Sequence, residues 1–415
     1  MRYGIITTGS RGDIQPFIAL ALALMDKGHD VTLVASENFK AFVEGFGVSF
    51  SPVAGDTRQL INSPKALKLL KGGNVFRFFY HLQKVSAQSA DQSNRDMLEA
   101  GSHFDGVITS VLPLPIVYSI AEKYRIKCAV VFLSLPPIPT RAFPFQVLGT
   151  NVHPWLNRLS YRLLGVGYAM ISKKVNRFRK DIGLPPANVM KACLQSDMLA
   201  VTALSQQLIK QPADWPPNAH ITGFFYLPPS AREKTAVKEM PEGLEDWLAK
   251  GDKPIYIGFG SISVPDKEKL LHTLQGILAK KRVVFGLGWS ILDGLPIHPN
   301  LFVIKYVNHD WLLPRCRVAI IHGGIGTIGA ALRSGTPIIV VSILADQPVN
   351  GKMIEQKRLG FHLPFSQLSP GKLLRTIEAA EEEEIQRNCK ATAEAIRTED
   401  GLGKAVHLIE KYFQS

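Results

Sequence analysis

Short apolar runs alternate with longer segments of helical periodicity along much of the chain. Near the start, Tyr3–Thr7 is a short run of the kind that forms a strand, and Pro16–Lys27 repeats apolar residues at helical spacing before Gly28. Gly106–Ser110 and Ala129–Leu133 are further runs without polar alternation, which is typical of strands covered on both faces. The repeated order of strand and helix predicts an α/β domain with a doubly wound parallel sheet.

A second series of strands and helices begins after Leu227–Gly243, a segment rich in proline and charge that is the best linker candidate. The order is again that of a doubly wound domain, and the turn Phe259-Gly260-Ser261 follows its first predicted strand. We therefore expect two doubly wound domains that face each other across a cleft. The predicted strands of the second domain are Ile255–Gly258, Val283–Leu287, Leu301–Ile304, Val318–Ile321 and Ile338–Val341.

Composition limits the classes of protein that fit this pattern. Hydrophobic residues make up 46% of the 415 residues, enough for large cores, which excludes a disordered or fibrous chain. The net charge of +13 favours anionic partners, such as nucleic acid, an anionic membrane surface or phosphorylated small molecules. The four cysteines are far apart and no histidine lies at zinc-site spacing, so we expect neither a disulfide framework nor a metal cluster, and a reducing, cytoplasmic compartment.

Several segments bear on contact with a membrane. Met1–Ile6 lacks the long apolar core of a signal peptide and is expected to form a strand. The sequence has no run of about 20 apolar residues, so a spanning helix is not expected. Basic clusters at Lys65–Lys71 and Lys173–Lys180 fit a solvated helix face or peripheral docking to an anionic leaflet, since aromatic and aliphatic residues alternate with them.

A glycine-rich turn is the strongest candidate for chemistry. The residues Ile320-Ile321-His322-Gly323-Gly324-Ile325-Gly326-Thr327 pass from a buried strand into the start of a helix. Glycines allow the backbone to approach a ligand, and a helix N-terminus presents unpaired N–H groups and partial positive charge, so the predicted guest is a phosphate or diphosphate. The alternative is a plain tight turn with a hydrogen-bonded histidine. Neither the dinucleotide fingerprint nor the P-loop pattern is present.

Two further segments should lie at the same sheet edge, because each follows a predicted strand. Gly258-Phe259-Gly260-Ser261 could flank the same anion through N–H and hydroxyl donors, or it could be an ordinary turn. Asp346-Gln347 suits a ring of sugar hydroxyls, although a helix-start cap before Pro348 is the plainer interpretation.

In the first domain, the segment Thr8-Gly9-Ser10-Arg11-Gly12-Asp13 joins the first strand to the first helix. Asp13 is a candidate general base at the strand end. The alternative is a carboxylate that only complements the helix dipole. An ordinary aspartate is a weak base for an alcohol, so its surroundings would have to strengthen it.

These segments together, in register over nearly the whole chain, resemble the inverting nucleotide-sugar glycosyltransferases of family 1, which have the GT-B fold. The resemblance is strongest to the sterol 3-beta-glucosyltransferases, with the glycopeptide-antibiotic glycosyltransferases next, and it is weakest over residues 60–100 and 140–220. The matching segments are Gly9–Pro16, Gly28–Thr32, Glu44–Gly47, Tyr256–Ser261, Asn308–Leu312, His322–Thr327 and Asp346–Pro348.

The resemblance implies a division of labour between two Rossmann-like domains. Residues 1–222 would bind the acceptor, and residues 223–243 would form the linker. Residues 244–398 would bind the nucleotide-sugar donor, and residues 399–415 would form a helix that packs back on the N-terminal domain. An acceptor hydroxyl would attack the anomeric carbon from the face opposite the nucleotide, which inverts the configuration without a covalent enzyme intermediate.

The same resemblance assigns roles to individual residues. Asp13 would remove the proton of the acceptor hydroxyl. The diphosphate would be held by Ser261, His322, Gly324, Gly326 and Thr327, the nucleobase by Trp289, Val307 and His309, and the donor sugar by Asp346 and Gln347. Because a helix dipole and a histidine can take the place of a metal ion, no metal or other cofactor is expected. The implied co-substrate is a UDP-sugar or TDP-sugar, with UDP-glucose the default, and the acceptor is a lipophilic hydroxylated molecule such as a sterol.

Some positions depart from the family pattern. Ile321 stands where a second histidine is frequent, and Asn308 stands where proline is usual. Val349 and Asn350 replace the Phe and Trp that follow the family's Asp-Gln-Pro motif, which leaves the donor sugar open. A sugar-nucleotide epimerase and a non-catalytic nucleotide-sugar-binding protein are the alternatives on this fold. The sequence has no nucleic-acid-binding motif, so a nucleic-acid partner is not expected.

Overall fold

The computed structural model describes residues 1–56, 63, 65, 68–69, 75–146, 153–233, 241–262, 264–288, 294–344 and 346–415. The chain divides into two compact units. Unit 1 is formed by Met1–Thr57, Gln83–Ala236 and Asp400–Ser415, and unit 2 by Arg58–Leu82 and Val237–Glu399. Each unit is built on one parallel sheet with helices along the chain between its strands, so the prediction of two doubly wound domains is confirmed.

The sheet of unit 1 has seven parallel strands in the order β3-β2-β1-β4-β5-β6-β7. The interior strand β1 pairs with β2 on one side and β4 on the other, with Ile5 opposite Leu33 and Ile108. These side chains are fully buried, as expected for a parallel sheet covered on both faces. The strands are β1 (Arg2–Ile6), β2 (Asp30–Ser36), β3 (Ser49–Val53), β4 (Gly106–Thr109), β5 (Lys127–Phe132), β6 (Ala200–Thr202) and β7 (Ala219–Ile221).

The last helix of the chain completes the core of unit 1. Val406, Ile409 and Phe413 are buried in the same cluster as the β1 side chains, and the ring of Phe413 lies 5.0 Å from that of Tyr3. The helices of unit 1 are α1 (Arg11–Met25), α2 (Lys40–Glu44), α3 (Val75–Gly101), α4 (Leu114–Tyr124), α5 (Asn157–Ser160), α6 (Leu163–Asp181), α7 (Val189–Gln195), α8 (Pro229–Glu233) and α16 (Gly401–Gln414). The first residues of α3 belong to unit 2 by the bounds given above.

The sheet of unit 2 has six parallel strands in the order β10-β9-β8-β11-β12-β13. Apolar residues from both ends of the unit, such as Ile257, Ile320 and Ile377, form its core. The strands are β8 (Ile255–Gly258), β9 (Val283–Gly286), β10 (Leu301–Ile304), β11 (Val318–Ile321), β12 (Ile338–Val340) and β13 (Gly360–His362). The helices are α9 (Leu244–Ala249), α10 (Lys267–Leu278), α11 (His309–Leu312), α12 (Ile325–Ser334), α13 (Gln347–Gln356), α14 (Pro370–Ala380) and α15 (Glu383–Arg397).

Some elements differ from the sequence prediction. The first helix begins at Arg11 and includes Pro16, whereas the periodicity placed its start at Pro16. Strand β3 was not predicted, because its sequence alternates polar residues and contains Pro52. It lies at the edge of the sheet, where a residue without an N–H group is tolerated. Strands β6, β7 and β13 have three residues each, too few to show a period.

Candidate functional site

The strand order of unit 2 predicts where a ligand would bind. Successive strands are added on one side of β8 as far as β10, and the chain then returns to the other side of β8 to form β11. In open parallel sheets, ligands bind beyond the carboxyl ends of the strands at this change of direction. Gly258, the last residue of β8, pairs with Ile321 at the end of β11, so the two predicted glycine turns lie side by side.

Close backbone contacts hold these turns together. Gly260 and Gly288 have φ angles of +57° and +55°, a region that favours glycine. A side chain on Gly288 would overlap the carbonyl oxygen of Gly260, so the turns after β8 and β9 meet through their backbones. A Cβ on Gly260 would lie 3.0 Å from Cε1 of His322, which brings the turn after β11 into the same group. Ser261 follows Gly260 and is half-buried in this turn.

His322 lies inside this group of turns. Its side chain is buried, and burial lowers its pKa to about 4, with His309 adding to the shift and the Gly258 backbone opposing it. The ring is therefore neutral near pH 7 and can donate through one nitrogen only. Within the described part of the chain, its buried Nδ1 has no hydrogen-bond partner. A buried polar atom without a partner is uncommon in folded proteins.

The helix α12 begins directly after this histidine. Gly323 has a φ of +96°, and the N-cap residue Gly324 provides no side-chain hydrogen bond to the helix start. A Cβ on Gly324 would lie 2.5 Å from Nε2 of His322, whereas a Cβ on Gly326 would have no neighbouring atom within 4 Å among the described residues. The N–H of Thr327 donates to the Gly324 carbonyl at 3.1 Å, and the role of Thr327 as a diphosphate donor stays a prediction.

The predicted sugar-binding pair lies at the start of α13. Asp346 is the N-cap residue, and burial raises the pKa of its partly exposed carboxyl above the usual value. Gln347 is buried, and its Oε1 accepts hydrogen bonds from the N–H groups of Ile343 at 2.8 Å and Leu344 at 3.1 Å. The side-chain oxygen of Gln347 thus holds the loop before the helix, which the sequence did not predict.

Asn350 joins this helix to the glycine turn. Its Nδ2 donates to the carbonyl of Gly323 at 3.0 Å and to Oδ2 of Asp346 at 3.1 Å. The sequence singled out Asn350 only as a departure from the family motif. Its position four residues after Asp346, on the same helical face, was the available signal.

The predicted nucleobase segment lies after β10. Val307 and His309 are half-buried, and Nε2 of His309 is 3.0 Å from the hydroxyl oxygen of Tyr256. Tyr256 is buried under Gly258 and Gly286, and sequence reasoning assigned it no role. Trp289, the third residue of this prediction, lies outside the described residues.

Asp13 lies in unit 1, on the third residue of α1. Its Oδ2 accepts hydrogen bonds from the Ser10 N–H at 2.6 Å and from Ser10 Oγ at 3.0 Å. Gly9 has a φ of +137°, and a Cβ at this position would lie 2.6 Å from the carboxyl carbon of Asp13. The glycine is therefore needed for the carboxylate to fold back over the chain that leaves β1. The observed geometry includes the capping role that was the alternative interpretation.

Comparison with known proteins agrees with this architecture. Residues 3–144 match the Glycosyltransferase family 28 N-terminal domain, and residues 290–400 match the Erythromycin biosynthesis protein CIII-like, C-terminal domain. The solved structure of the glycotransferase of kitacinnamycin superposes with a TM-score of 0.71 over 99% of this chain and 98% of that chain, at 17% identity, which shows the shared fold. The chain has the GT-B fold, and the resemblance to glycosyltransferases found in its motifs is confirmed.

Within that class, the chain is similar to sterol 3-beta-glucosyltransferases. It is 31% identical to the one from Arabidopsis thaliana, in a match that covers 100% of this chain and 66% of that protein. It is 30% identical to the one from Cryptococcus neoformans, in a match that covers 99% of this chain and 27% of that protein. The chain thus spans less than two thirds of the length of these relatives.

Proposed function

We propose that the protein is an inverting O-glycosyltransferase that moves a sugar, glucose by default, from a nucleoside diphosphate sugar to a hydroxyl of a lipophilic acceptor such as a sterol. The observation that carries this proposal is the neutral, buried His322 against the uncapped start of α12, with the Asp346 carboxylate on the adjoining helix. Unit 2 would bind the donor, and unit 1 would bind the acceptor.

In the proposed reaction, the diphosphate lies at the start of α12. The first N–H groups of a helix have no partner within the helix, and they carry partial positive charge. His322 adds one uncharged N–H donor, because it is neutral near pH 7. Together with Ser261, these donors would stabilise the negative charge that develops as the bond from the anomeric carbon to the diphosphate breaks.

The donor sugar would be held by Asp346, whose carboxylate accepts hydrogen bonds from sugar hydroxyls, and by the side-chain amide of Gln347. Asp13 would take the proton from the acceptor hydroxyl while the hydroxyl oxygen bonds to the anomeric carbon. The two donors from Ser10 orient the Asp13 carboxylate for this step. The nucleobase would lie against Val307 and His309, with Trp289 completing that contact.

A donor and acceptor screen tests the proposal. Purified protein is incubated with UDP-glucose or TDP-glucose and a panel of sterols, phenols and macrolides, and products are identified by mass spectrometry. We expect a hexose adduct of at least one acceptor and release of the nucleoside diphosphate. Epimerised donor without an adduct would support the epimerase alternative, and nucleotide binding without any product would support the non-catalytic one.

We also propose that unit 1 docks on an anionic membrane leaflet, where a lipophilic acceptor would be dissolved. Leu163, Val166 and Met170 share one face of α6 and are exposed, with Val166 and Met170 at 64% and 62%. Trp155, 72% exposed, precedes them on a short helical segment. Within the described residues, no helix is long and apolar enough to cross a bilayer, so the proposed contact is peripheral.

The charges around this face favour a membrane over a neutral partner. The exposed basic side chains of α6 are Lys173, Lys174, Arg177 and Lys180, and Asp181 is its one acidic residue. Exposed apolar side chains flanked by basic ones are typical of helices that lie in an anionic interface. The second basic cluster of the sequence, Lys65–Lys71, lies largely outside the described residues.

Replacing Trp155, Val166 and Met170 together by Ser is expected to lower binding to vesicles of phosphatidylcholine and phosphatidylserine by about 10-fold or more, because each side chain loses apolar burial in the interface. Co-sedimentation at low salt measures the effect. The control is Ile297→Ser, which removes a fully exposed apolar side chain in unit 2. Binding that is equal for the triple variant and the native chain, or equal for neutral and anionic vesicles, would contradict docking through this face.

A further inference from the structure

Asn350 holds two parts of the candidate donor site together with one amide group. Its Nδ2 donates to the carbonyl of Gly323, in the turn after β11, and to the carboxylate of Asp346, at the start of α13. Asn350 is 1% exposed, so it is shielded from solvent by its surroundings and contacts these groups from within the protein.

The turn at Gly323 is closely packed. Gly323 has a φ of +96°, and a Cβ there would lie 2.6 Å from Val340 and 3.3 Å from Gln347. The turn is therefore packed closely against β12 and the start of α13. The hydrogen bond from Asn350 to the Gly323 carbonyl fixes the orientation of the peptide group between Gly323 and Gly324. This peptide group leads directly into the start of α12.

The same amide also influences the pKa of Asp346. Burial raises the pKa of Asp346, and the hydrogen bond from Asn350 is the main effect that opposes this shift. The titratable groups on the surrounding elements are His322 after β11, His362 on β13, and Lys352 and Glu355 on α13, and none of them is among the causes of the Asp346 shift. The hydrogen bond from Asn350, an uncharged donor, therefore favours the ionised form of Asp346.

We propose that Asn350 is a positioning residue whose amide, through two hydrogen bonds, ties the diphosphate-binding turn to the sugar-binding carboxylate. The inference rests on the proposed function of this site and adds a residue that the glycosyltransferase motif does not supply. Asn350 acts through Gly323 and Asp346, with its own amide buried behind them.

The test compares Asn350→Asp, which has nearly the same shape but exchanges the donor for a carboxylate, with Asn350→Ala, which removes the amide. The control is Asn300→Asp, because the Nδ2 of Asn300 also donates to a backbone carbonyl in unit 2, that of Leu278 at 3.0 Å. Turnover is measured against pH. In Asn350→Asp, two carboxyl groups share one site, so the acidic limb of kcat/KM should move to higher pH by about one unit or more.

The expected profile of Asn350→Ala moves in the same direction by less, because the hydrogen bond that opposes the burial shift is lost. Affinity for UDP or TDP, measured by calorimetry, should fall about 10-fold in both variants, since the Gly323 peptide is no longer held. Asn300→Asp should change neither quantity. A pH profile that is unshifted in both Asn350 variants would overturn the proposal.

Thermal unfolding supplies a readout that does not need turnover. A carboxyl with a raised pKa in the folded state destabilises the fold once pH rises through that pKa, so Asp346→Asn should raise the Tm near pH 8 and not near pH 3. In the Asn350→Ala background this gain should be larger and should keep growing to higher pH, because the folded-state pKa rises further while that of the unfolded chain is unchanged. An equal gain in Tm in both backgrounds would refute the coupling between Asn350 and Asp346, whether or not a transfer reaction is found. If the coupling is observed but no transfer reaction is found, the proposed function is refuted and the coupling is not.

Discussion

Asp13→Asn is expected to lower the turnover of hexose transfer about 10²–10⁴-fold, the usual contribution of a general base. The substitution keeps an oxygen that accepts the two hydrogen bonds from Ser10, at 2.6 Å from its N–H and 3.0 Å from its Oγ, so α1 should keep its start. It removes only the capacity to take a proton from the acceptor hydroxyl. Steady-state kinetics with UDP-glucose and an identified acceptor measure the loss.

Two further measurements separate base catalysis from a structural role of Asp13. Calorimetric affinity for UDP or TDP should not change, because the nucleotide is proposed to bind unit 2 and Asp13 lies in unit 1. Ser10→Ala, which removes the Oγ donor to the same carboxylate and keeps the N–H donor, is the matched control and should cost less than about 10-fold in turnover. If the Asp13→Asn variant turned over at the native rate, base catalysis by Asp13 would be excluded and its only role would be to cap the start of α1.

The fold was predictable from the sequence where the apolar runs are long. Strands such as Ile255–Gly258 and Val318–Ile321 were predicted with their observed bounds, because a fully buried parallel strand has no polar alternation. The three-residue strands β6, β7 and β13 could not be predicted, since their pairing is decided by neighbours in the sheet rather than by local pattern. The edge strand Ser49–Val53 was not predicted for a different reason. Its polar residues and Pro52 are tolerated only where one side of the strand is unpaired.

The sequence predicted which segments form the candidate site, but it did not predict the individual hydrogen bonds within the site. Parallel topology alone brings the turns after β8 and β11 together, so the grouping of Gly260 with His322 followed from strand order. The use of Gln347 Oε1 by the backbone of Ile343 and Leu344 depends on the path of a loop, which no motif encodes.

Asn350 shows how far a departure from a family motif can be interpreted without the structure. From the sequence, Val349-Asn350 was only the loss of two aromatic residues beside the donor sugar. In the structure, the asparagine is buried and its side-chain amide donates hydrogen bonds to Gly323 and Asp346, two parts of the candidate site. A buried amide needs partners, and its partners here are the groups that the motif places around the donor.

Gly324→Ala is expected to weaken nucleotide diphosphate affinity about 10–100-fold, which corresponds to the roughly 1.5–3 kcal/mol of a hydrogen bond to a charged group. The backbone at Gly324, with φ −63° and ψ 130°, is allowed for alanine, so no conformational strain arises. The new Cβ would lie 2.5 Å from Nε2 of His322, and the ring, packed against Gly260 on its other side, would have to move. Calorimetry with UDP and TDP measures the loss.

A double-mutant cycle identifies the cause of that loss. In a His322→Ala background, the additional cost of Gly324→Ala should nearly vanish, because the ring that it displaces is absent. Gly371→Ala is the control for an added methyl group in the first turn of a helix, since its Cβ would have no neighbour closer than 3.8 Å. Gly326→Ala, with nothing within 4 Å, keeps its N–H and should cost much less than Gly324→Ala. If the costs of Gly324→Ala and His322→Ala simply added, the glycine would act on the ligand directly, and the proposed reason for a glycine beside His322 would be wrong.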